Sequence, residues 1–152
     1  MRSAFTIIEL AVVLLIMSIV GAAALPTFFR SLEQQRLESA ARRIKQDLEQ
    51  VRQTARTLSK SETLTFTSAS VYSLSADVQG LDHAIQTYSV NLAASPYNVT
   101  TVSTTSLGSP AKVTFDGYGA TTASGTIVLQ IGSYSRTVTI DPSTGLAFIS
   151  GS

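Results

Sequence analysis

Phe5-Thr6-Ile7-Ile8-Glu9-Leu10 opens the run of sequence that decides the fold. Between positions 5 and 29 the only charged side chain is Glu9, and nearly all the other residues are apolar. A helix rises about 1.5 Å per residue, so this run would be roughly 37 Å long, against a hydrocarbon layer of about 30 Å. The sequence therefore predicts an apolar helix that is long enough to span a membrane.

Glu9 is the unusual residue in this run. A carboxylate inside an apolar helix costs on the order of 2.5 to 3.5 kcal/mol on insertion scales, so it requires a partner. An α-amino group at Phe5 would supply the nearest cation if the chain were cut just before it. Residues 1–4 would then form a short leader with basic Arg2 on the cytoplasmic side, as the positive-inside rule expects.

The segment Ala4-Phe5-Thr6-Ile7-Ile8-Glu9 resembles the type IV prepilin processing motif, Gly-Phe-Thr-Leu-Ile-Glu, of type IV pilins and type II secretion pseudopilins. The resemblance implies that prepilin peptidase cuts between Ala4 and Phe5 and N-methylates Phe5. It also implies that Glu9 pairs with the N-terminus of a neighbouring subunit during filament assembly. Ala4 departs from the usual Gly, and we expect slower cleavage as a result.

Two other interpretations of the same run are open to test. A secretory signal peptide would use Arg2 as its basic region and residues 22–24 as its cleavage site, but Glu9 and the length of the apolar core argue against it. A plain membrane anchor would tolerate Glu9 through the helix dipole, which favours an anion near the N-terminus by only about 0.3 to 1 kcal/mol. That gain is smaller than the insertion cost.

Pro26 follows the most apolar part of the run. It lacks an N–H group and its ring crowds the carbonyl of Ala22, so with Gly21 nearby it predicts a bend or local melting of the helix. Proline at this place is also common in the pilin family. The alternative is that Pro26 begins a second, separate helix at its first turn.

Composition excludes several classes of function. The chain has 152 residues, a formal net charge of +1, no cysteine and one histidine, His83. Thiolate zinc sites, disulfide frameworks and cysteine nucleophiles are therefore excluded, and a histidine metal cluster or a Ser-His-Asp triad is improbable. We predict no cofactor, no metal and no enzymatic activity.

After Pro26 the pattern becomes amphipathic. Apolar residues recur at alternating spacings of three and four, which predicts one stripe of a helix, with the charged residues between them, Asp47 included, on the solvent side. We therefore predict one long helix over residues 5–60. The stripe consists of Leu37, Ala41, Ile44, Leu48, Val51, Ala55 and Leu58.

Beyond residue 60 the composition shifts to Ser, Thr, Gly and β-branched residues, which predicts strands. Expected strands cover 63–67, 71–75, 84–92, 98–103, 112–115, 125–131, 134–140 and 146–149. Tight turns are expected at 116–119, at Gly132-Ser133 and at 141–145. The tyrosines, Tyr118 among them, are expected to pack in the sheet.

The second half of the chain resembles the GspH/FimT group of minor pilins and pseudopilins. The similarity lies in residues 48–56, in the turn Phe115-Asp116-Gly117-Tyr118-Gly119 and in the strand that follows Gly145. The implied fold is α+β, with a long N-terminal α-helix, transmembrane and then amphipathic, packed on a small antiparallel β-sheet head. Its segments are a leader (1–4), a transmembrane or filament-core helix (5–29), an amphipathic helix (30–60) and a β-rich head (61–152).

The predicted amphipathic helix is rich in basic residues, so DNA binding is a possible function to weigh. Residues 30–60 hold eight of the eleven Lys and Arg residues, against four acids. DNA-binding members of this group resemble one another in a Gly-Arg-x-Arg type segment, and the corresponding residues here, 145–148, contain no arginine. We therefore expect a solvated face near anionic lipid headgroups. The acids Asp77, Asp82, Asp116 and Asp141 lack the spacing of a calcium loop, so turn chemistry is expected there.

The sequence therefore predicts a minor pilin or pseudopilin of a type II secretion pseudopilus or a type IV pilus. Its expected partners are other pilins or pseudopilins, prepilin peptidase and the inner membrane, which it would cross once with the head in the periplasm. The alternative function is a DNA-binding minor pilin in natural competence.

Overall fold

The computed structural model describes residues 6–75, 77–78, 88–121 and 123–151, and for residues 23–26 it describes the backbone alone. These described residues contain a 52-residue helix, α1 (Ile7–Leu58), followed by eight strands. The chain divides into two compact units, Met1–Glu33 and Gln34–Ser152, and α1 contributes to both. The predicted long N-terminal helix is confirmed.

In the second unit, α1 presents an apolar stripe to the core. Side chains of the stripe are almost fully buried, as their spacing predicted, and Ala40 is buried with them. The buried members at the predicted positions are Leu37, Ala41, Ile44, Leu48, Val51 and Ala55. These side chains join strand residues of both sheets in one hydrophobic cluster, so helix and sheets share a single core.

Two predictions about this stripe are wrong. Leu58 is 50% exposed, because α1 ends there: Ser59 takes a positive φ of 51°, and the N–H of Lys60 donates to the carbonyl of Ala55. Asp47, predicted on the solvent side, is 0% exposed. It lies three residues after Ile44, so helix geometry directs it toward the core whatever its charge.

The strands form two four-stranded antiparallel sheets. They are β1 (Glu62–Phe66), β2 (Val71–Leu74), β3 (Ser89–Asn91), β4 (Thr101–Thr105), β5 (Lys112–Phe115), β6 (Thr126–Ile131), β7 (Tyr134–Ile140) and β8 (Ala147–Ser150). One sheet has the order β3-β2-β1-β5 and the other β4-β6-β7-β8. The predicted antiparallel head is confirmed, and its division into two sheets is an additional finding.

Alternating burial explains the strand registers. In β1 and β6 every second side chain is buried, because successive residues of a strand point to opposite faces. The hairpin of β6 and β7 pairs Ile131 with Tyr134 across Gly132-Ser133, and Gly132 takes a positive φ of 56°, as expected for a primed turn. Most of the predicted strand at 84–92 lies outside the described residues, which show β3 at its end.

Two aspartates organise the turns that flank the sheets. The Oδ1 of Asp116 accepts hydrogen bonds of 2.9 Å from the backbone N–H groups of Tyr118 and Ala120. The Oδ1 of Asp141 accepts hydrogen bonds from the N–H and Oγ of Ser143. Both predicted turns are therefore present. Tyr118, expected to pack in the sheet, is instead 90% exposed, because it lies within the Asp116 turn rather than on a strand.

Candidate functional site: the N-terminal apolar helix

Thr6 caps the beginning of α1. Its Oγ1 accepts a hydrogen bond of 3.3 Å from the backbone N–H of Glu9, and its carbonyl accepts one of 3.2 Å from the N–H of Leu10. Thr at the N-cap with Glu three residues later is the spacing of a capping box. Sequence reasoning missed this role of Thr6, although the Thr-x-x-Glu pattern was available to reveal it.

Glu9 therefore lies in the first turn of α1, and it is exposed. Backbone N–H groups that have no partner within the helix point out of this end, and the helix dipole favours a negative charge there. Among the residues that the structure describes, no cationic side chain forms an ion pair with Glu9. The described part of the chain thus presents a carboxylate that a cation from another molecule can reach.

The surface around Glu9 is apolar on every side of the helix. Ile7 is 90% exposed, and large apolar side chains follow it on all faces, which is typical of a helix buried in a membrane or among other helices. These exposed side chains are Ile8, Leu10, Val12, Val13, Leu14, Leu15, Ile16, Met17, Ile19 and Val20. In the described chain, α1 is the one helix that is long and apolar enough to cross a membrane.

The other residues predicted for this site are Ala4, Phe5 and Pro26. Ala4 and Phe5, the predicted cleavage and methylation residues, lie outside the described residues. Pro26 lies within α1, whose helical backbone continues through that position. The structure therefore brings Glu9 and its cap together at the helix N-terminus, and the cleavage chemistry stays a prediction.

The head contains a buried polar cluster that the sequence did not indicate. The hydroxyl of Tyr72, on β2, donates a hydrogen bond of 2.5 Å to the Oδ2 of Asp47, and the Nε of Arg43 lies 3.1 Å from the same oxygen. The guanidinium of Arg43 also lies 5.4 Å from the ring centroid of Tyr88. Asp47 Oδ1 is buried and accepts no hydrogen bond from the described residues.

Burial is the main cause of the pKa shifts of Asp47 and Tyr72 in this cluster. Burial raises the pKa of Asp47, although the hydrogen bond from Tyr72 and the charge of Arg43 act in the opposite direction. Burial and the adjacent carboxylate raise the pKa of Tyr72, so its hydroxyl remains a donor across the physiological range. We interpret the cluster as a link between α1 and β2.

Three arginines on the amphipathic part of α1, Arg42, Arg43 and Arg52, pair with acids of the same helix, and Arg136 on β7 pairs with one of these acids. Arg42 and Arg136 both contact Glu38, at 2.9 and 3.2 Å, and Arg52 contacts Glu49 at 2.9 Å. These contacts lower the pKa of Glu38 and of Glu49, since each carboxylate is held in its charged form by an arginine hydrogen bond. The surface therefore alternates in sign and does not form the continuous positive surface that phosphates require.

In the part of the chain that the structure describes, no three acidic or histidine side chains lie close enough together to bind a metal ion. Asp116 and Asp141 are engaged with their own turns, as predicted. The hydrogen bonds from Ser143 and Thr144 lower the pKa of Asp141. Asp82 and His83 lie outside the described residues.

Comparison with known protein families gives independent evidence of the family to which the chain belongs. The family model described as "Type II transport protein GspH" matches residues 40–144, which is more than half of the chain. No curated protein sequence matches this chain.

The fold is shared with a solved structure. The crystal structure of the type IV minor pilin FimU of Pseudomonas aeruginosa (strain PAO1) matches with a TM-score of 0.57 and 16% sequence identity, covering 78% of this chain and 90% of that one. At this identity the match speaks for the fold alone. The family match, which covers more than half of the chain, shows that the chain belongs to the GspH family, and the apolar part of α1 supports a single-pass membrane anchor.

Proposed function

We propose that this protein is a filament subunit that serves a type II secretion pseudopilus or a type IV pilus, and that its role is structural. The observation that carries the proposal is Glu9, an exposed carboxylate in the first turn of a helix that is apolar on every side. Such a helix is unstable in water and requires either lipid or other helices around it. Family membership supports the same role.

In this proposal prepilin peptidase cuts between Ala4 and Phe5 in the inner membrane, and Phe5 is N-methylated. The new amino group of one subunit pairs with Glu9 of its neighbour as both helices enter the filament. Removing one member of a buried ion pair costs on the order of 3 to 5 kcal/mol, because the remaining charge is left without compensation. Each added subunit is therefore favoured by the carboxylate that it satisfies.

The remaining parts of the chain have supporting roles in the proposal. The helix crosses the inner membrane once, with the head in the periplasm. Pro26 leaves one backbone carbonyl without its helical N–H donor, so we propose that the helix is weakened locally there, which would ease its transfer from membrane to filament. The partners are other pilins or pseudopilins, and the acid-paired cations on α1 give no specific support to nucleic-acid binding.

The test uses the full chain in cells that produce prepilin peptidase and filaments. We expect mass spectrometry of the purified protein to find an N-methylated Phe5 at the N-terminus. The Glu9→Ala variant should be inserted and processed normally but should be absent from sheared filaments, because it cannot receive the neighbour's amino group. Glu33→Ala, in the same helix, serves as the matched control and should be incorporated.

Two outcomes contradict the proposal. A mature protein that retains Met1 in the presence of prepilin peptidase would exclude processing. Normal incorporation of Glu9→Ala into filaments would show that the carboxylate has no role in assembly.

A further inference from the structure

Strand β8 forms one edge of its sheet, whose order is β4-β6-β7-β8. In an antiparallel pair, residues that exchange hydrogen bonds with the partner strand alternate with residues whose N–H and C=O groups point away from it. The N–H of Asp141 donates to the carbonyl of Leu146, which fixes this alternation between β7 and β8. The N–H and C=O groups of Ala147 and Ile149 therefore point away from β7, toward the open side of the sheet.

This edge lacks the features that commonly keep an outer strand from pairing, which are a charged side chain, a proline or a bulge. The sequence of β8, Ala147-Phe148-Ile149-Ser150, contains neither a charge nor a proline, and its four residues pair with β7 in continuous register. Among the described residues, none forms a hydrogen bond with the outward N–H and C=O groups of Ala147 and Ile149. The edge therefore presents a row of main-chain donors and acceptors that an added strand can use.

A groove lies beside this edge, between β8 and the polar side of α1. Its volume is about 1110 Å³, and Ile149 lines it on the strand side. Residues of α1 between Glu38 and Gln53 line the other side, over a length of about 22 Å at 1.5 Å per residue. A strand rises about 3.3 Å per residue, so a segment of about six or seven residues matches this length. We call this groove, together with the outward edge of β8, the edge groove.

The edge groove carries one positive charge that has no acidic partner in the described residues. Glu38 and Glu49 are each held by arginines of the same chain. Lys45 lines the groove and is exposed, and no carboxylate of the described residues forms an ion pair with it. An acidic side chain near Lys45 would therefore favour the binding of an added segment.

A second copy of this chain does not offer such a segment. Pairing between edges requires an outer strand, and the outer strands of the two sheets are β3, β5, β4 and β8. As the structure describes them, none of these four strands contains Asp or Glu. A different protein is therefore the better source of a strand that also carries an acidic side chain.

We propose that the edge groove binds one extended, acid-bearing segment of a different subunit of the same filament, which adds to β8 as a fifth strand. This inference rests on the proposed function, which supplies the class of partner, and it concerns the head rather than the apolar part of α1. Main-chain hydrogen bonds to Ala147 and Ile149 would hold the segment, and Lys45 would select its acidic side chain. The contact joins unlike subunits, so it gives this chain a specific neighbour.

A proline at position 149 tests the main-chain contact. The N–H of Ile149 points away from β7, so Ile149→Pro removes an outward donor and leaves the hydrogen bonds between β7 and β8 in place. Ile149→Ala loses the same side chain but keeps the N–H, and it is the matched control. Thr104→Pro is a second control at the opposite edge of the sheet, because Thr104 pairs with Ile127, whose N–H and C=O groups face β7.

Photo-cross-linking in filaments identifies the occupant. Cells that assemble filaments would produce the full chain with p-benzoylphenylalanine in place of Gln46, which is exposed and lines the groove. After irradiation of sheared filaments, mass spectrometry would identify the cross-linked peptide, and we expect an acid-bearing segment of a different subunit. Its yield should fall on the order of fivefold with Ile149→Pro, through loss of one hydrogen bond, and less than about twofold with Ile149→Ala or Thr104→Pro.

Substitutions of Lys45 measure the contribution of charge. Lys45→Glu should lower the cross-linking yield about two- to fivefold, the range that exposed charge pairs provide. Lys45→Arg keeps the charge and should preserve the yield.

Hydrogen exchange measures the same contact without any substitution. The N–H groups of Ala147 and Ile149 should exchange about tenfold or more slowly in filaments than in the chain in detergent, because the added strand supplies their acceptors. The N–H of Phe148 faces β7 in both states, so its exchange should change less and serves as the internal reference.

Four results would overturn the inference. Equal cross-linking yields for Ile149→Pro and Ile149→Ala, or unchanged hydrogen exchange at Ala147 and Ile149, would exclude strand addition. A cross-link to a second copy would exclude an unlike partner. Filaments that contain the chain without any cross-link from position 46 would exclude an occupied groove while the proposed function stands, whereas absence of the wild-type chain from filaments would count against the proposed function itself. Melting temperatures would show whether Ile149→Pro remains folded, and hydrogen exchange of the unsubstituted chain decides the matter if it does not.

Discussion

The carboxylate of Asp47 is held in the core of the head by two donors, the hydroxyl of Tyr72 and the guanidinium of Arg43. A buried charge is tolerated only when it is paired and hydrogen-bonded, so each donor offsets part of the cost of removing Asp47 from water. The cluster joins a helix to a strand that lies 25 residues further along the chain. Substitutions that disrupt this cluster should therefore lower the melting temperature of the head.

Tyr72→Phe removes one of these donors and keeps the ring. A hydrogen bond to a charged group contributes about 1.5 to 3 kcal/mol, so we expect the melting temperature to fall by on the order of 5 to 10 °C. Circular dichroism of the full chain in detergent would measure it. Tyr134→Phe, at a partly exposed position on β7, is the control. Equal melting temperatures for the two variants would show that the Tyr72 hydroxyl contributes nothing.

The raised pKa of Asp47 predicts a pH dependence of definite sign. The folded protein binds a proton at Asp47 more tightly than the unfolded chain does, so this contribution to stability is complete below the unfolded pKa, near 3.9. It is lost as the pH rises through the raised folded pKa. The melting temperature of the wild type minus that of Asp47→Asn should therefore increase as the pH is lowered from 7 toward 4. A difference that is constant with pH would contradict the prediction.

At this scale the sequence predicted the stripe around Asp47 but not the role of Asp47 itself. Helical spacing alone placed positions 44, 48 and 51 in the core, and the same spacing includes position 47. We assigned Asp47 to solvent because charged residues are rarely buried. Its partner Tyr72 lies on another element, and no local pattern reveals which strand will face a helix.

Glycine-containing turns fix the ends of the strands that close the head. Gly145 takes a positive φ of 67° and its N–H donates to the carbonyl of Asp141 at 2.8 Å. A Cβ atom at this position would lie 2.8 Å from the backbone carbonyl oxygen of Gly119, in the Asp116 turn. The two turns therefore pack against each other so closely that only glycine fits between them.

Gly145→Ala should destabilise the head more than Gly108→Ala does. Both glycines have positive φ, so each substitution costs about 1 to 2 kcal/mol for the left-handed conformation. At Gly108 the nearest atom to an added Cβ is 3.9 Å away, whereas Gly145→Ala also displaces a backbone carbonyl, which adds about 1 to 3 kcal/mol. Thermal unfolding of both variants would measure the difference. Equal losses of stability in the two variants would show that a methyl group at position 145 is accommodated without a steric penalty from the Asp116 turn.

Strand positions were largely predictable, and strand pairing was not. Alternation of apolar residues and the Gly132-Ser133 turn indicated the β6–β7 hairpin, because both signals are local. The pairing of β1 with β5 joins Leu64 to Val113 across nearly fifty residues. Such a contact depends on how all the apolar faces fit around α1, so sequence pattern alone could not divide the strands into two sheets.

On the scale of the whole molecule, charge is distributed unevenly but is locally balanced. The net charge is +1, and most basic residues lie on α1. On that helix Glu38 and Glu49 each contact an arginine, so the positive charge that a phosphate would meet is reduced by adjacent carboxylates. The apolar first unit and this balanced surface both favour protein and lipid as surroundings over nucleic acid.

This balance of charges predicts weak DNA binding, and replacing the two acids should make the binding stronger. We expect the full chain in detergent to produce no gel shift of duplex DNA at about 150 mM salt, below the micromolar concentrations typical of non-specific binding. The variant with Glu38→Gln and Glu49→Gln leaves Arg42, Arg52 and Arg136 without these neighbours, so it should bind more tightly and with a steeper salt dependence. Wild-type binding at submicromolar concentration, unchanged by the two substitutions, would instead support the DNA-uptake function, because a phosphate site would then exist that the charges of α1 do not control.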